Sequence, residues 1–111
     1  MARLNYVELP ASQFDATRAF YEGAFGWTLT QFGPTYAATM SGDTDIGLQG
    51  DVTEAPGAPL PVIEVDDLEA ALESVVRTGG VIVRPIFAFP GGRRFQFRDP
   101  AGNELACVKS G

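Results

Sequence analysis

Histidine is absent from all 111 residues. No imidazole is available as a general base, and none can ligate zinc, nickel, copper or iron. A Ser/His/Asp arrangement is excluded for the same reason. The single cysteine, Cys107, rules out an intrachain disulfide. Without a His partner it reads as a small buried hydrophobe and not as a nucleophile. Basic residues are few, 8 against 14 acidic, for a net charge of −6. That balance argues against nucleic acid and anionic membrane as partners and suits cationic or neutral ones; the plainer alternative is charge kept for solubility. No apolar run is long enough to span a bilayer, and Met1-Ala2-Arg3 leads directly into a strand-like segment without a signal-peptide pattern. The expectation is a cytoplasmic protein. No glycine-rich phosphate loop stands between a strand and a helix.

What is present forms a regular order. Leu4 to Leu9 is a β-type run closed by Pro10. Ser12 with Asp15 resembles a capping box, and a helix fits from Gln13 to Ala24, with Phe14, Tyr21 and Phe25 on one stripe and Gly26 as its stop. Trp27 to Phe32, Thr35 to Met40 and Ile46 to Gln49 read as strands. The segment from Gly50 to Pro59 is rich in Pro, Gly and acidic residues and reads as a linker. Leu60 to Val65 is again a strand. Asp66 reads as the cap of a second helix, on which Leu68, Ala71, Leu72, Val75 and Val76 keep helical spacing until Gly79-Gly80. Val81 to Ile86 is a strand and Phe89 to Gly92 a loop. The chain closes on a hairpin turning at Asp99-Pro100-Ala101-Gly102-Asn103.

The order is β-α-β-β-β, linker, β-α-β-β-β. Ser12 and Asp66, Phe14 and Leu68, Gly26 and Gly80, and Trp27 and Val81 are all 54 residues apart. A constant offset through strand, helix and exit glycine indicates duplication of one unit. The expected class is α+β: one domain of two βαβββ modules, 1–50 and 60–111, joined by a linker at 51–59, with a concave mixed sheet. Concave surfaces at module junctions favour ligand sites.

The chain resembles the vicinal oxygen chelate superfamily, which includes glyoxalase I, extradiol dioxygenases and bleomycin resistance proteins. The resemblance lies in Tyr6-Val7-Glu8-Leu9-Pro10, in Phe20-Tyr21-Glu22-Gly23-Ala24-Phe25-Gly26-Trp27, in Val65-Asp66-Asp67-Leu68-Glu69-Ala70-Ala71, and in Gly91-Gly92-Arg93 through to Asn103. These are helix, turn and packing signals, specific for a fold and not for a reaction. The resemblance implies a homodimer and a site on the inner faces of the sheet. Metal-dependent members hold an ion there with four His, Glu or Gln ligands. Carried over, those positions fall on Tyr6, near Gln49, on Leu60 and on Ala106. Leu60 and Ala106 cannot bind a metal, and a phenol with a reference pKa of about 10 is a poor ligand at neutral pH. The fold is expected without the metal site and without another cofactor.

Period-two alternation extends this reading along each strand. If Tyr6, Leu60 and Ala106 face the trough, so do Glu8, Val62, Glu64, Glu104 and Val108, while Val7, Leu9, Ile63, Val65, Leu105 and Cys107 pack beneath the helices. The candidate ligand-binding residues are Tyr6, Glu8, Trp27, Gln49, Leu60, Val62, Phe87 and Ala106, with Phe32, Tyr36 and Phe89 nearby. Glu8 is either a desolvated carboxylate that holds a cationic ligand or acts as a base, or a strand-end residue in water or paired with arginine. Glu8, Gln49 and Glu104 offer an oxygen-only alternative for magnesium or calcium. Arg93 and Arg94 either clamp an anion or serve the fold. Three functions stay open: a metal-free protein sequestering a cationic or aromatic compound, a lyase or dioxygenase with a non-standard metal site, and a non-enzymatic interaction or regulatory module.

Overall fold

The computed structural model describes residues 2–111. Eight strands and two helices divide into two compact units: Tyr6–Leu60, and Pro61–Gly111 together with residues 2–5. Strand β1 (Arg3–Pro10) therefore belongs to the first unit from Tyr6 onward. No helix among the described residues is long and apolar enough to cross a membrane.

The first unit continues through α1 (Phe14–Phe25), β2 (Thr30–Gln31), β3 (Tyr36–Ala38) and β4 (Asp45–Gln49), with sheet order β2-β3-β4-β1. The β1/β4 pair is parallel and the others are antiparallel. Leu9, Ile46, Leu48 and Ala37 lie on one face with Ala11, Leu29, Phe14 and Tyr21, which is the core beneath α1. Gly26 ends the helix in the left-handed region at φ 69°, its N–H donating to Glu22 O at 3.0 Å. The expected capping box does not form. Gln13 is the residue before the helix and no side chain caps it, because Ser12 lies one position too early; Asp15 still sits in the first turn, where the helix dipole favours it. The strand expected at Trp27–Phe32 shrinks to the two-residue edge strand β2, and that expected at Thr35–Met40 to three residues beside it.

The second unit repeats this plan with β5 (Leu60–Glu64, in this unit from Pro61 onward), α2 (Leu68–Arg77), β6 (Val81–Phe89), β7 (Gly92–Arg98) and β8 (Glu104–Ser110), in the order β5-β8-β7-β6. Here β5/β8 is the parallel pair. The first helical residues, Phe14 and Leu68, keep the 54-residue offset. Leu68, Phe95, Phe97 and Cys107 form the buried centre under α2, with Ile63, Val65, Leu72, Val75 and Ile82 packed around them. A fully buried side chain of this size contributes about 1.5–3 kcal/mol.

Two local expectations shift. The cap of α2 is Asp67 and not Asp66: Asp67 is extended, and its Oδ1 accepts from the Ala70 N–H at 3.0 Å. Strand β6 also runs on to Phe89, through Pro85, and leaves only Pro90 and Gly91 before β7. Its register slips between Ile82 and Arg84 and again before Phe87. An edge strand with a bulge tolerates a proline, because the missing N–H removes no ladder bond there. The Asp99 turn forms as read. Asp99 Oδ1 accepts from the Ala101 and Asn103 N–H groups at 2.9 Å, Asn103 Nδ2 donates to Oδ2, and Gly102 takes φ +91°. These bonds, that from the Asn103 side chain first, hold the Asp99 carboxyl below its ordinary range.

Candidate functional site

Each unit covers one sheet face with its helix, which leaves the opposite face for functional side chains. In the first unit the register aligns Tyr6 with Asp45, Glu8 with Gly47, and Tyr36 with Gln49. Alternation then puts Tyr6, Glu8, Asp45, Gly47, Gln49 and Tyr36 on one face, away from the α1 core. Tyr6 and Tyr36 are half-buried, and their hydroxyls hydrogen-bond to each other. Glu8 is 4% exposed. The Gln49 side-chain oxygen accepts from the Asp51 N–H at 3.0 Å, and Asp45 Oδ1 accepts from Thr39 Oγ1 at 2.7 Å and from the Gly42 N–H at 3.1 Å.

One first-unit candidate lies elsewhere. Trp27 stands at the exit of α1, outside any strand. Its ring stacks on Tyr21 (5.7 Å between centroids, 4° between planes) and on Phe25 (5.2 Å). Leu60 is buried at 2% exposure.

In the second unit the corresponding face carries Val62 and Glu64 from β5, Glu104, Ala106 and Val108 from β8, and Arg94, Gln96 and Arg98 from β7. Val62 and Ala106 are register partners and both are buried. Gln96 ties the strands together: its Nε2 donates to Glu104 Oε2 at 2.8 Å, and its Oε1 accepts from Arg94 Nη2 at 3.3 Å. Arg98 lies 3.8 Å from the second Glu104 oxygen. Phe87 on β6 has the Arg84 guanidinium 3.7 Å above its ring and that of Arg94 at 5.3 Å.

Arg93 and Arg94 part company because neighbours on a strand point to opposite faces. Arg93 reaches α2 and makes a bidentate pair with Glu69, at 2.6 and 3.2 Å, which serves the fold. This pairing lowers the Glu69 carboxyl from its ordinary range. Arg94 remains on the face away from α2, with Gln96 and Val108. In the first unit Gly47, between Tyr6 and Tyr36, belongs to their face although its position in the chain does not single it out. A Cβ built there would meet the Tyr6 and Tyr36 hydroxyls and would stand 2.7 Å from Tyr6 Cζ. The available signal was a glycine inside a strand, which often marks a close approach.

The residues at the family's four metal positions do not fit a metal. Tyr6 shares its hydroxyl with Tyr36, the Gln49 oxygen is held by a backbone N–H, and Leu60 and Ala106 offer buried hydrocarbon. Both oxygens of Glu104, considered for an oxygen-only site, are engaged by Gln96 and Arg98. Among the described residues no three His, Cys, Asp or Glu side chains group as a metal would require.

Comparison with known proteins agrees with this architecture. The model of the Glyoxalase/Bleomycin resistance protein/Dioxygenase superfamily matches residues 3–107. CFP32 of Mycobacterium tuberculosis, a protein named as a glyoxylase, is 30% identical over 109 residues, covering 88% of this chain and 42% of the relative. The chain thus spans less than half the length of the mycobacterial relatives it matches. A glyoxylase-like domain-containing protein of Didymella fabae is 32% identical over 123 residues, covering 98% of this chain and 95% of the relative. Among solved structures, a hypothetical protein from Bacillus halodurans superposes with a TM-score of 0.82 at 15% identity, covering 99% of this chain and 95% of that one, a likeness of fold.

Proposed function

This chain belongs to the Glyoxalase/Bleomycin resistance protein/Dioxygenase superfamily, and we propose that it works there as a metal-independent binding protein that sequesters a small aromatic or cationic molecule. The observation that carries this reading is the donor set at the four family positions. Two of the four are hydrocarbon, and the oxygens of the other two already serve hydrogen bonds of the fold. A divalent ion bound there would have to break those bonds and would still lack half its ligands. What the faces offer instead is aromatic surface with a few polar groups: the Tyr6 and Tyr36 phenols beside buried Glu8, and Phe87 beneath a guanidinium. That mixture is typical of small-molecule sites. The protein acts as a homodimer in the cytoplasm.

The test has two arms. Protein incubated with manganese, nickel, zinc and magnesium and then dialysed is expected to retain far less than one ion per chain by elemental analysis. A panel of aromatic and cationic compounds is expected to contain at least one that raises Tm by about 10 °C at a hundredfold excess over its Kd. One retained ion per chain would instead support a lyase or dioxygenase with a non-standard metal site. A panel without a single stabilising compound would leave an interaction or regulatory module.

A further inference from the structure

The outer face of α1 is apolar. Positions 16, 19, 20, 23 and 24 keep the spacing of one helix face and are all exposed. They hold Ala16, Ala19, Phe20, Gly23 and Ala24. The duplicated helix supplies the comparison. At the same offset of 54, the exposed outer face of α2 carries Ala70, Glu73, Ser74, Arg77 and Thr78. There Arg77 Nη2 donates to Ser74 Oγ, and Thr78 Oγ1 to the Ser74 carbonyl. The α2 face is built for water, whereas the α1 face has neither charge nor hydroxyl. Beyond the first turn of α1 its charged side chains turn aside: Arg18 donates to Leu29 O and Gln31 Oε1, and Glu22 accepts from the Leu29 N–H.

Aromatic rings continue this face past the helix end. Phe20 meets Tyr21 edge-on, and Trp27 stacks on Tyr21 and Phe25. Phe20 and Phe25 are each 59% exposed, and Trp27 is 41% exposed. At about 150–250 Å² per aromatic side chain, these three leave about 250–400 Å² of ring surface in water. A stable interface takes about 800 Å² from each partner, so the rings supply about a third to a half of one side. Gly23 points the same way. Glycine in a helix is less favourable than alanine. A Cβ built at Gly23 meets no atom within 4 Å, and its φ is not positive, so the fold of the single chain gives no reason for glycine there. A glycine on an outer face does let another ring or backbone come close.

We propose that this face is where two copies of the chain meet, α1 against α1, antiparallel about a two-fold axis. The proposal rests on the homodimer stated above and names its interface. A two-fold contact needs a surface that complements itself. Phe20 projects and Gly23 recedes, three residues apart on one helix face. With the axis midway between them, each Phe20 lies over the partner's Gly23. Charge selects the same occupant. Each chain carries −6, so two copies repel over much of their surface. The α1 face brings no carboxylate to the centre of a contact, and it offers none to a basic partner.

The test is sedimentation velocity at micromolar concentration on wild type, Phe20→Ser and Gly23→Arg, which give α1 the residues of α2. An arginine at position 23 enters open space in the single chain and is a better helix former than glycine. Wild type is expected to be a dimer. Both variants, checked for native circular dichroism, are expected to raise the dimer Kd at least about a hundredfold. Glu73→Ala on α2 is expected to leave the dimer intact. A second readout needs no variant. Trp27 is the sole tryptophan, and acrylamide quenching of its fluorescence is expected to increase as wild type dissociates on dilution. Folded variants that stay dimeric, or quenching unchanged through dissociation, overturn this interface and leave a dimer through another face. Where a variant loses its native circular dichroism, the quenching decides. Wild type that sediments as a monomer removes the interface and the homodimer together.

Discussion

Cys107 shows what one residue's position does to its chemistry. It lies on the α2 side of β8, 4% exposed, and burial pushes its thiol up to about 11. Only the thiolate reacts with iodoacetamide, and two pH units of upward shift remove about 99% of the thiolate present at pH 8. Alkylation of the native protein, followed by mass spectrometry, is expected to run at least about a hundredfold slower than in urea; equal rates would refute the burial. Cys107 was legible in the sequence because it alternates with Ala106 and Val108, and period two assigns the faces. Gly47 was not. A glycine carries no side chain to alternate, and its meaning comes from two hydroxyls on residues 30 apart in sequence.

At the scale of elements, residue types decided which segments form and tertiary contacts decided where they stop. Of the expected α2 stripe, Leu68, Ala71, Leu72 and Val75 face the core as read from their spacing, whereas Val76 is 52% exposed at its margin. Its cap was not readable, because Asp66 and Asp67 are chemically identical and only the backbone conformation of Asp67 brings a carboxylate oxygen to the Ala70 N–H. Asp67→Ala is expected to lose about 1 kcal/mol in urea denaturation, whereas Asp67→Asn, which keeps an accepting oxygen, stays near wild type. Equal losses in the two variants would show that the cap is not the cause. Strand β6 passes through Pro85 because it is an edge strand with register slips, a fact about its neighbours and not about Pro85.

At the scale of the whole molecule, the 54-residue repeat indicated two copies of βαβββ, and each unit does place its first strand parallel to its last. The proposed homodimer has a direct check: size-exclusion chromatography at micromolar concentration is expected to give about twice the 11.8 kDa chain mass, and a peak at the chain mass would remove it. Phe25, expected on the α1 stripe, is exposed; the sequence by itself determined the fold class, the α2 core stripe from Leu68 to Val75, the Asp99 turn and the poverty of metal donors. Each depends on residue type at a fixed short spacing, or on the mere absence of a side chain able to do the chemistry. Tertiary structure alone decided which atoms meet: Tyr6 with Tyr36 over Gly47, Arg93 with Glu69, Gln96 with Glu104. Those meetings depend on strand register and on the lean of side chains across neighbouring strands, and no local pattern in the chain encodes either.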